Sequence, residues 1–260
     1  MEAWKENQDL AALRQLMAEQ GREQQAAELD LLLHQMDSME RQLRAVSQEL
    51  RAVKEQLASS GPTKPEQRFV SGLAQKLENR LDSLRERLDD LRAHMAGWAR
   101  DTLEQFKQAG VSALDKAMSA LNVKGGLEQI HTGIQGCMEA LRGGIRRVEQ
   151  MGDELRQAGA HLHSAGRAAA GKGPARRRDT TQEGRFQSGL LAPMRAAVRG
   201  LSRMNNAALA AIGTVERLEQ AAQAVRKPSI REALAEKKAE AAARPAPEPA
   251  QTRKPQEAAL

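Results

Sequence analysis

The chain has 260 residues and a net charge of +6; 28% of the residues are charged and 2% are aromatic, with no Tyr, three Phe and two Trp. Too few large rings are present to fill an ordinary compact interior, and the bias towards Ala, Glu, Gln, Arg, Leu and Lys is typical of long helices and coiled coils. The longest stretch without Asp, Glu, Lys or Arg is Met204–Val215, twelve residues, so the sequence predicts no membrane-spanning helix, which needs about 20 apolar residues.

The first region, residues 1–58, is predicted to hold a short amphipathic helix and then a long one. The short helix should stop near Gly21, because glycine is common just after helix ends. Apolar residues recur every seven positions along the long helix, from about 22 to 58: Leu29, Met36, Leu43, Leu50 and Leu57. Together with apolar residues between them, this spacing predicts a helix that packs along its length against another helix.

Residues 59–66 are predicted to be a linker, because Gly61 and Pro62 break helices. An antiparallel hairpin of two long helices is predicted over residues 67–170, with Gly97 and Gly110 as expected kinks in its first helix. The seam residues of the hairpin are Leu77, Leu84 and Leu91 in the first helix, and Leu127, Ile134, Leu141, Val148, Leu155 and Leu162 in the second.

Charges along the first hairpin helix bear on its packing direction. If this helix paired in parallel with its own copy, Arg80 would face Arg85, and Arg87 would face Arg92. Each such exposed pair opposes association by about 1 kcal/mol or less. The sequence therefore predicts antiparallel or mixed packing of this segment.

Glycines at a seven-residue spacing occupy one face of the second hairpin helix, namely Gly152, Gly159 and Gly166. Each glycine in a helix interior is less stable than alanine by about 0.5–1 kcal/mol. Either another helix approaches the backbone closely there, or the helix is locally loose.

Basic charge is concentrated in the carboxy-terminal third. Residues 1–166 hold 22 basic and 25 acidic side chains, and residues 167–260 hold 18 basic and 9 acidic ones. A flexible basic linker is predicted over residues 171–184. Positive charges there and beside it could neutralise nucleic-acid phosphates, whereas solvated linker charge is the alternative. The candidate contacts are Arg167, Lys172, Arg176, Arg177, Arg178 and Arg185.

The remaining chain is predicted to be helix followed by tail. An Ala-rich bundle helix is expected over residues 185–227, with Pro193 in its first turn or at a kink. A short terminal helix is expected over 228–243, in which Ile230 and Leu234 are candidates for docking into a partner's groove, or are simply solvent-exposed. Residues 244–260 alternate Pro, Ala and charged residues and are predicted to be disordered.

The residues that usually carry chemistry do not form a recognisable site. His161 and His163 point about 200° apart on a helix and have no Cys pair or His-Glu spacing beside them, so surface histidines are favoured over a metal site. Cys137 lies on a seam-facing position without a neighbouring base, which favours a packed thiol over a nucleophile. No catalytic, cofactor-binding or metal-binding residue is assigned.

Four segments resemble an uncharacterised, mostly helical protein family encoded on integrative conjugative elements and related mobile DNA of gut Gram-positive bacteria. They are residues 25–57, 121–127 (Leu-Asn-Val-Lys-Gly-Gly-Leu), 184–193 (Gly-Arg-Phe-Gln-Ser-Gly-Leu-Leu-Ala-Pro) and 227–234 (Lys-Pro-Ser-Ile-Arg-Glu-Ala-Leu). The resemblance implies a genomic setting beside conjugation or DNA-handling machinery, and it implies no catalytic residue.

The sequence therefore predicts an all-α protein, an elongated helical bundle or coiled coil with a basic flexible linker and a disordered tail. Its expected function is that of a non-enzymatic scaffold or adaptor that binds protein partners or itself, without a cofactor or small-molecule substrate. An accessory nucleic-acid-binding protein using residues 167–185 is the second hypothesis. We expect a cytoplasmic location, because the first residues do not form a secretion signal and the single Cys137 cannot form an intrachain disulfide.

Overall fold

The computed structural model describes residues 7–59, 65–171 and 185–226 of the chain. Six helices occupy almost all of these residues: α1 Gln8–Glu19, α2 Glu23–Ala58, α3 Pro65–Ala109, α4 Val111–Ala120, α5 Lys124–Ala169 and α6 Arg185–Arg226. The predicted all-α elongated bundle is confirmed. Pro193 lies inside α6 and not in its first turn, while the short helix and tail predicted over 228–260 fall outside the described residues.

The first two helices form a hairpin around Gly21. Asn7 begins α1, because its side-chain oxygen accepts hydrogen bonds from two backbone N–H groups of the first turn, both at 3.1 Å, a common way to cap a helix. Gly21 has a φ of 73°, which glycine adopts without the clash that a Cβ would cause. The chain reverses there, and Arg14 of α1 pairs with Asp30 of α2 at 2.5 Å.

The four long helices, α2, α3, α5 and α6, form a ring in which each neighbour is antiparallel. Across every interface, the contacting residue numbers rise along one helix as they fall along the other. The contacts are Lys54 to Glu78 and Arg92 to Glu40 (α2 and α3), Arg80 to the Gly136 carbonyl and Arg87 to the Gln129 carbonyl (α3 and α5), Lys124 to Glu216 and Arg195 to Glu149 (α5 and α6), and Arg217 to Glu28 and Thr214 to Gln35 (α6 and α2). The fold is thus an up-down-up-down four-helix bundle.

Three arginines of α3 contact other helices of the same chain. Arg80 and Arg87 donate hydrogen bonds to backbone carbonyls of α5 at 3.0 and 3.1 Å, and Arg92 pairs with Glu40 of α2 at 2.6 Å. The packing of α3 is antiparallel, as its charge pattern favoured, and the neighbours are helices of the same chain.

The heptad seams line the interior of this bundle. Eleven of the predicted seam residues are at most 6% exposed: Leu29, Met36, Leu43, Leu50, Leu77, Leu84, Leu91, Leu127, Ile134, Leu141 and Val148. Leu57 is half-buried at the end of α2. The most extensive interface joins α2 to α6, so the last helix of the bundle covers the first heptad stretch.

The seam of α5 ends sooner than the heptad pattern predicts. Val148 is buried, whereas Leu155 is 57% and Leu162 is 76% exposed. The physical reason is that α5 continues to Ala169, whereas the described part of α6 begins at Arg185, ten residues before the Arg195 that pairs with Glu149, and so accompanies α5 only to about residue 159. These two leucines are therefore not seam residues within the described chain.

Close helix contacts occur at other glycines than the predicted ones. A Cβ added at Gly159 or Gly166 would meet no atom within 4 Å, so no described helix of the same chain approaches these two positions closely. A Cβ at Gly133 would lie 2.7 Å from Leu84 Cδ2. Gly144 and Gly200 also sit directly under leucine and valine side chains, those of Leu73 and Val46.

Where the sequence predicts one long helix with kinks, the chain forms two helices. Gly97 lies within α3, but Gly110 has φ 62° and ψ −147°, a conformation essentially restricted to glycine. The following helix, α4, turns back against α3 and also contacts α6. Trp98 holds it there by donating a buried hydrogen bond from Nε1 to the Ala117 carbonyl at 2.9 Å.

Candidate interaction surfaces

The longest helix, α5, projects past the bundle. We call residues 150–169 the α5 extension. At a rise of 1.5 Å per residue, its end lies roughly 30 Å beyond Val148. Every residue from 157 to 166 is exposed, so the extension presents most of its circumference to its surroundings.

One face of the α5 extension is apolar. Leu155 and Leu162 keep the seven-residue spacing that places Val148 in the core, and the residues three and four positions after each leucine lie beside it on the same face. These neighbours are all alanine or glycine, so large and small side chains alternate along the face. The face comprises Leu155, Ala158, Gly159, Leu162, Ala165 and Gly166.

Charge changes sign along the α5 extension. Asp153 and Glu154 lie near its start, and His161, His163 and Arg167 lie in its second half. Asp153 forms an ion pair with Arg156 one turn on. Just before the extension, Glu149 pairs with Arg195 of α6 at 2.8 Å. The first half of the extension therefore carries a net charge of −1, from Asp153, Glu154 and Arg156, and the second half carries +1, from Arg167.

A second surface combines arginines from α5 and α6. Arg142 and Arg146 are one turn apart on α5, and Arg195 and Arg199 are one turn apart on α6. Because the Arg195–Glu149 pair joins these antiparallel helices, Arg199 lies close to the level of Arg146. Arg142, Arg146 and Arg199 are exposed. The sequence alone does not reveal this cluster, since about fifty residues separate its halves and only the four-residue spacing of each pair indicates it.

The residues predicted for nucleic-acid contact are described only in part. Arg167 lies near the end of α5, is half-buried and already interacts within the chain. Arg185 begins α6. The other candidates, Lys172, Arg176, Arg177 and Arg178, lie outside the described residues, as do the docking candidates Ile230 and Leu234.

Cys137 and the histidines behave as packing and surface residues. Cys137 is fully buried, and this burial raises the pKa of its thiol, opposed by a smaller effect of nearby Arg80. A buried, protonated thiol is a poor nucleophile. His161 and His163 are exposed on the α5 extension. Over the part of the chain that the structure describes, no three His, Cys, Asp or Glu side chains are grouped to hold a metal ion.

An open groove of about 450 Å³ lies between α3 and α4, lined in part by His94, Trp98, Asp101, Thr102 and Lys116. Two polar groups of its wall form hydrogen bonds within the protein. Trp98 Nε1 donates to α4, and the Thr102 hydroxyl donates to the Trp98 carbonyl at 2.7 Å. The bond from Trp98 gives the groove a structural role in fixing α4 on α3, and the bond from Thr102 lies within α3.

The fold and its projecting helix place the protein among all-helical bundle proteins that expose an apolar helix face. The chain belongs to a family of unknown function (DUF6674), whose profile matches residues 6–257. This match includes both the bundle and the α5 extension. No curated protein and no solved structure matches the chain. Among the helices of the described ranges, none is both long and apolar enough to cross a membrane.

Proposed function

We propose that the protein is a non-enzymatic scaffold or adaptor that binds a protein partner through the apolar face of the α5 extension. The observation that supports this is the exposure of Leu155 and Leu162 at a spacing that buries the equivalent residues of α5, up to Val148. Full burial of a leucine side chain stabilises an interface by about 1.5–3 kcal/mol. Exposed leucines on a helix that projects from a bundle thus favour docking of another helix.

The bundle restricts where such a partner binds. Apart from the half-buried Leu57, the seam residues of α2 and α3 are covered within the chain, and breaking the bundle to expose them would lose more apolar burial than docking regains. The partner therefore meets the projecting end of the molecule. The setting proposed for this role is the cytoplasm, beside mobile-element machinery. It is supported by the free thiol of Cys137 and by the family resemblance of residues 121–127 and 184–193.

Affinity capture with the full chain tests this function. The test variant carries Leu155→Glu and Leu162→Glu, and the matched control carries Leu31→Glu and Leu209→Glu, which alter leucines that are 41% and 49% exposed on α2 and α6. We expect the wild type and the control to capture the same protein. Once that protein is purified, we expect the test variant to bind it at least tenfold more weakly while its own helix content is unchanged. Equal binding by all three proteins would contradict the proposal.

An accessory nucleic-acid-binding role is the second candidate, and the arginine cluster of α5 and α6 favours it. Arg142, Arg146 and Arg199 would add phosphate contacts to those of the basic segment 167–185, giving attraction that weakens steeply with salt. Duplex binding at about 150 mM salt would then fall on changing Arg176, Arg177 and Arg178 to Glu, and on changing Arg142 and Arg146 to Glu. Binding that is indifferent to both sets of changes removes this role.

A further inference from the structure

We infer that the α5 extension pairs in antiparallel orientation with the α5 extension of a second copy of this chain. The inference rests on the proposed function and names its partner. Four observations lead to it: the amino-acid composition of the neighbouring segments, and, among the described residues, the direction of the apolar face, the order of charges and the alternation of side-chain size.

Other parts of the same chain are poorly suited to cover the leucines. Residues 172–184 contain only Pro174 and Ala175 as apolar residues, so this stretch has no large side chain with which to bury Leu155 and Leu162. The carboxy-terminal segment begins at the opposite end of the bundle. Glu216, near the end of α6, contacts Lys124 at the start of α5.

The large apolar residues nearest to α6 in that segment are too close to it to reach the α5 extension. Ile230 and Leu234 lie within eight residues of Arg226, a span of at most about 30 Å when extended. The return distance along the 42-residue α6 is roughly 60 Å. After Leu234 the segment holds one further large apolar residue, Leu260, which favours a covering helix from another molecule.

The direction of the apolar face decides how a second copy binds. This face continues the line of the seam, which at Val148 points into the bundle. A parallel partner helix on that line would bring its own bundle into the space of the first bundle. An antiparallel partner carries its bundle to the far end of the pair, so only this orientation avoids the overlap.

Charge supports the same orientation. In an antiparallel pair, the start of one extension, with a net charge of −1, lies near the end of the other, where Arg167 and two histidines lie. A parallel pair would instead place each group beside its own copy. Complementary charges at the edges of two helices select their orientation, even when each contact is weak.

The small residues of the face gain a role in this pair. Gly159 and Gly166 have no neighbour within 4 Å of an added Cβ, and glycine is a poor helix former. In the pair, Leu155 and Leu162 of one chain lie over the alanines and glycines of the other, and the missing Cβ atoms let the two backbones approach. The close helix contact that the glycine spacing favoured thus arises between two chains.

Sedimentation of the full chain over a range of concentrations tests the pairing. We expect the wild type and the Leu31→Glu/Leu209→Glu control to form a dimer, and the Leu155→Glu/Leu162→Glu variant to need at least tenfold more protein to do so. A wild-type chain that stays monomeric throughout overturns the inference. If the leucine variant then still loses capture of a different protein, the scaffold function stands with that protein as its partner.

Cross-linking tests the orientation. In a Cys137→Ala background, Glu154→Cys and Ala168→Cys variants are prepared separately, mixed and treated with a bis-maleimide. Antiparallel pairing predicts that mixed cross-links between the two variants exceed those within each variant. A predominance of cross-links joining two copies of Glu154→Cys indicates a parallel pair and overturns the inference, as does an equal yield when Leu155 and Leu162 are also changed to Glu.

Discussion

Replacing Gly200 with alanine tests the close packing of α6 on α2. The new Cβ would lie 2.6 Å from Val46 Cγ2, closer than two carbon atoms can approach. Valine is stiff about χ1 in a helix and cannot rotate freely out of the way. Forcing an extra methyl group into a packed core typically destabilises a protein by about 1–3 kcal/mol, while alanine improves helix propensity by about 0.5–1 kcal/mol.

The Gly213→Ala substitution supplies the matched control on the same helix. Its Cβ would meet only Arg217 Nη1, at 3.8 Å, an ordinary contact, so we expect this variant to gain the propensity term alone. Because the propensity terms cancel, the free energies of unfolding of the two variants should differ by about 1–3 kcal/mol, the steric contribution.

Urea unfolding followed by circular dichroism at 222 nm measures this difference. When the experiment is repeated in a Val46→Ala background, the difference between the two variants should disappear, because the clashing methyl group is then absent. Equal stability of Gly200→Ala and Gly213→Ala with valine at position 46 would refute the packing of α6 on α2 described above.

Two further predictions concern buried polar groups. Because burial raises the pKa of the Cys137 thiol, the folded chain keeps that proton at pH values where the unfolded chain has lost it, and the free energy of unfolding should fall as pH rises above the ordinary thiol range. Cys137→Ala should remove this contribution to the decrease in the free energy of unfolding, as measured by urea titrations at neutral and alkaline pH. In the native protein Cys137 should also react far more slowly with a thiol reagent than it does in the unfolded chain. An identical rate contradicts its burial. Trp98→Phe should destabilise the protein by about 1–3 kcal/mol, since it leaves the Ala117 carbonyl without its donor. If the variant unfolds thermally at the same midpoint temperature as the wild type, this bond does not hold α4 in place.

The sequence predicts the helices well because seven-residue spacing reports directly which face of a helix is buried. The seam residues of α2 from Leu29 to Leu50, and those of α5 from Leu127 to Val148, are accordingly buried. Spacing does not report where the neighbouring helices end, which is why Leu155 and Leu162 continue the pattern and yet are exposed. Seven-residue spacing also does not identify which helix packs against which. The packing of α2 against α6 therefore could not be predicted from the sequence of either helix.

The roles of the glycines and of the surface arginines also depend on contacts between helices, which the pattern along one helix does not report. Gly110 was expected to kink a helix, but its backbone conformation ends the helix, since φ depends on how α4 packs and not on the residue type alone. Close packing at Gly133, Gly144 and Gly200 depends on side chains from other helices, which periodicity along one helix cannot reveal. The arginine cluster likewise arises only when α5 and α6 come together.

The order of the long helices around the ring has a consequence during synthesis on the ribosome. The surface that α2 buries against α6 stays without its cover until residues 185–226 have been made, more than a hundred positions later. At about 5–20 residues per second, that wait is on the order of ten seconds. During this interval the nascent chain exposes an aggregation-prone apolar surface on α2. A truncated product that ends before α6 would expose that surface permanently.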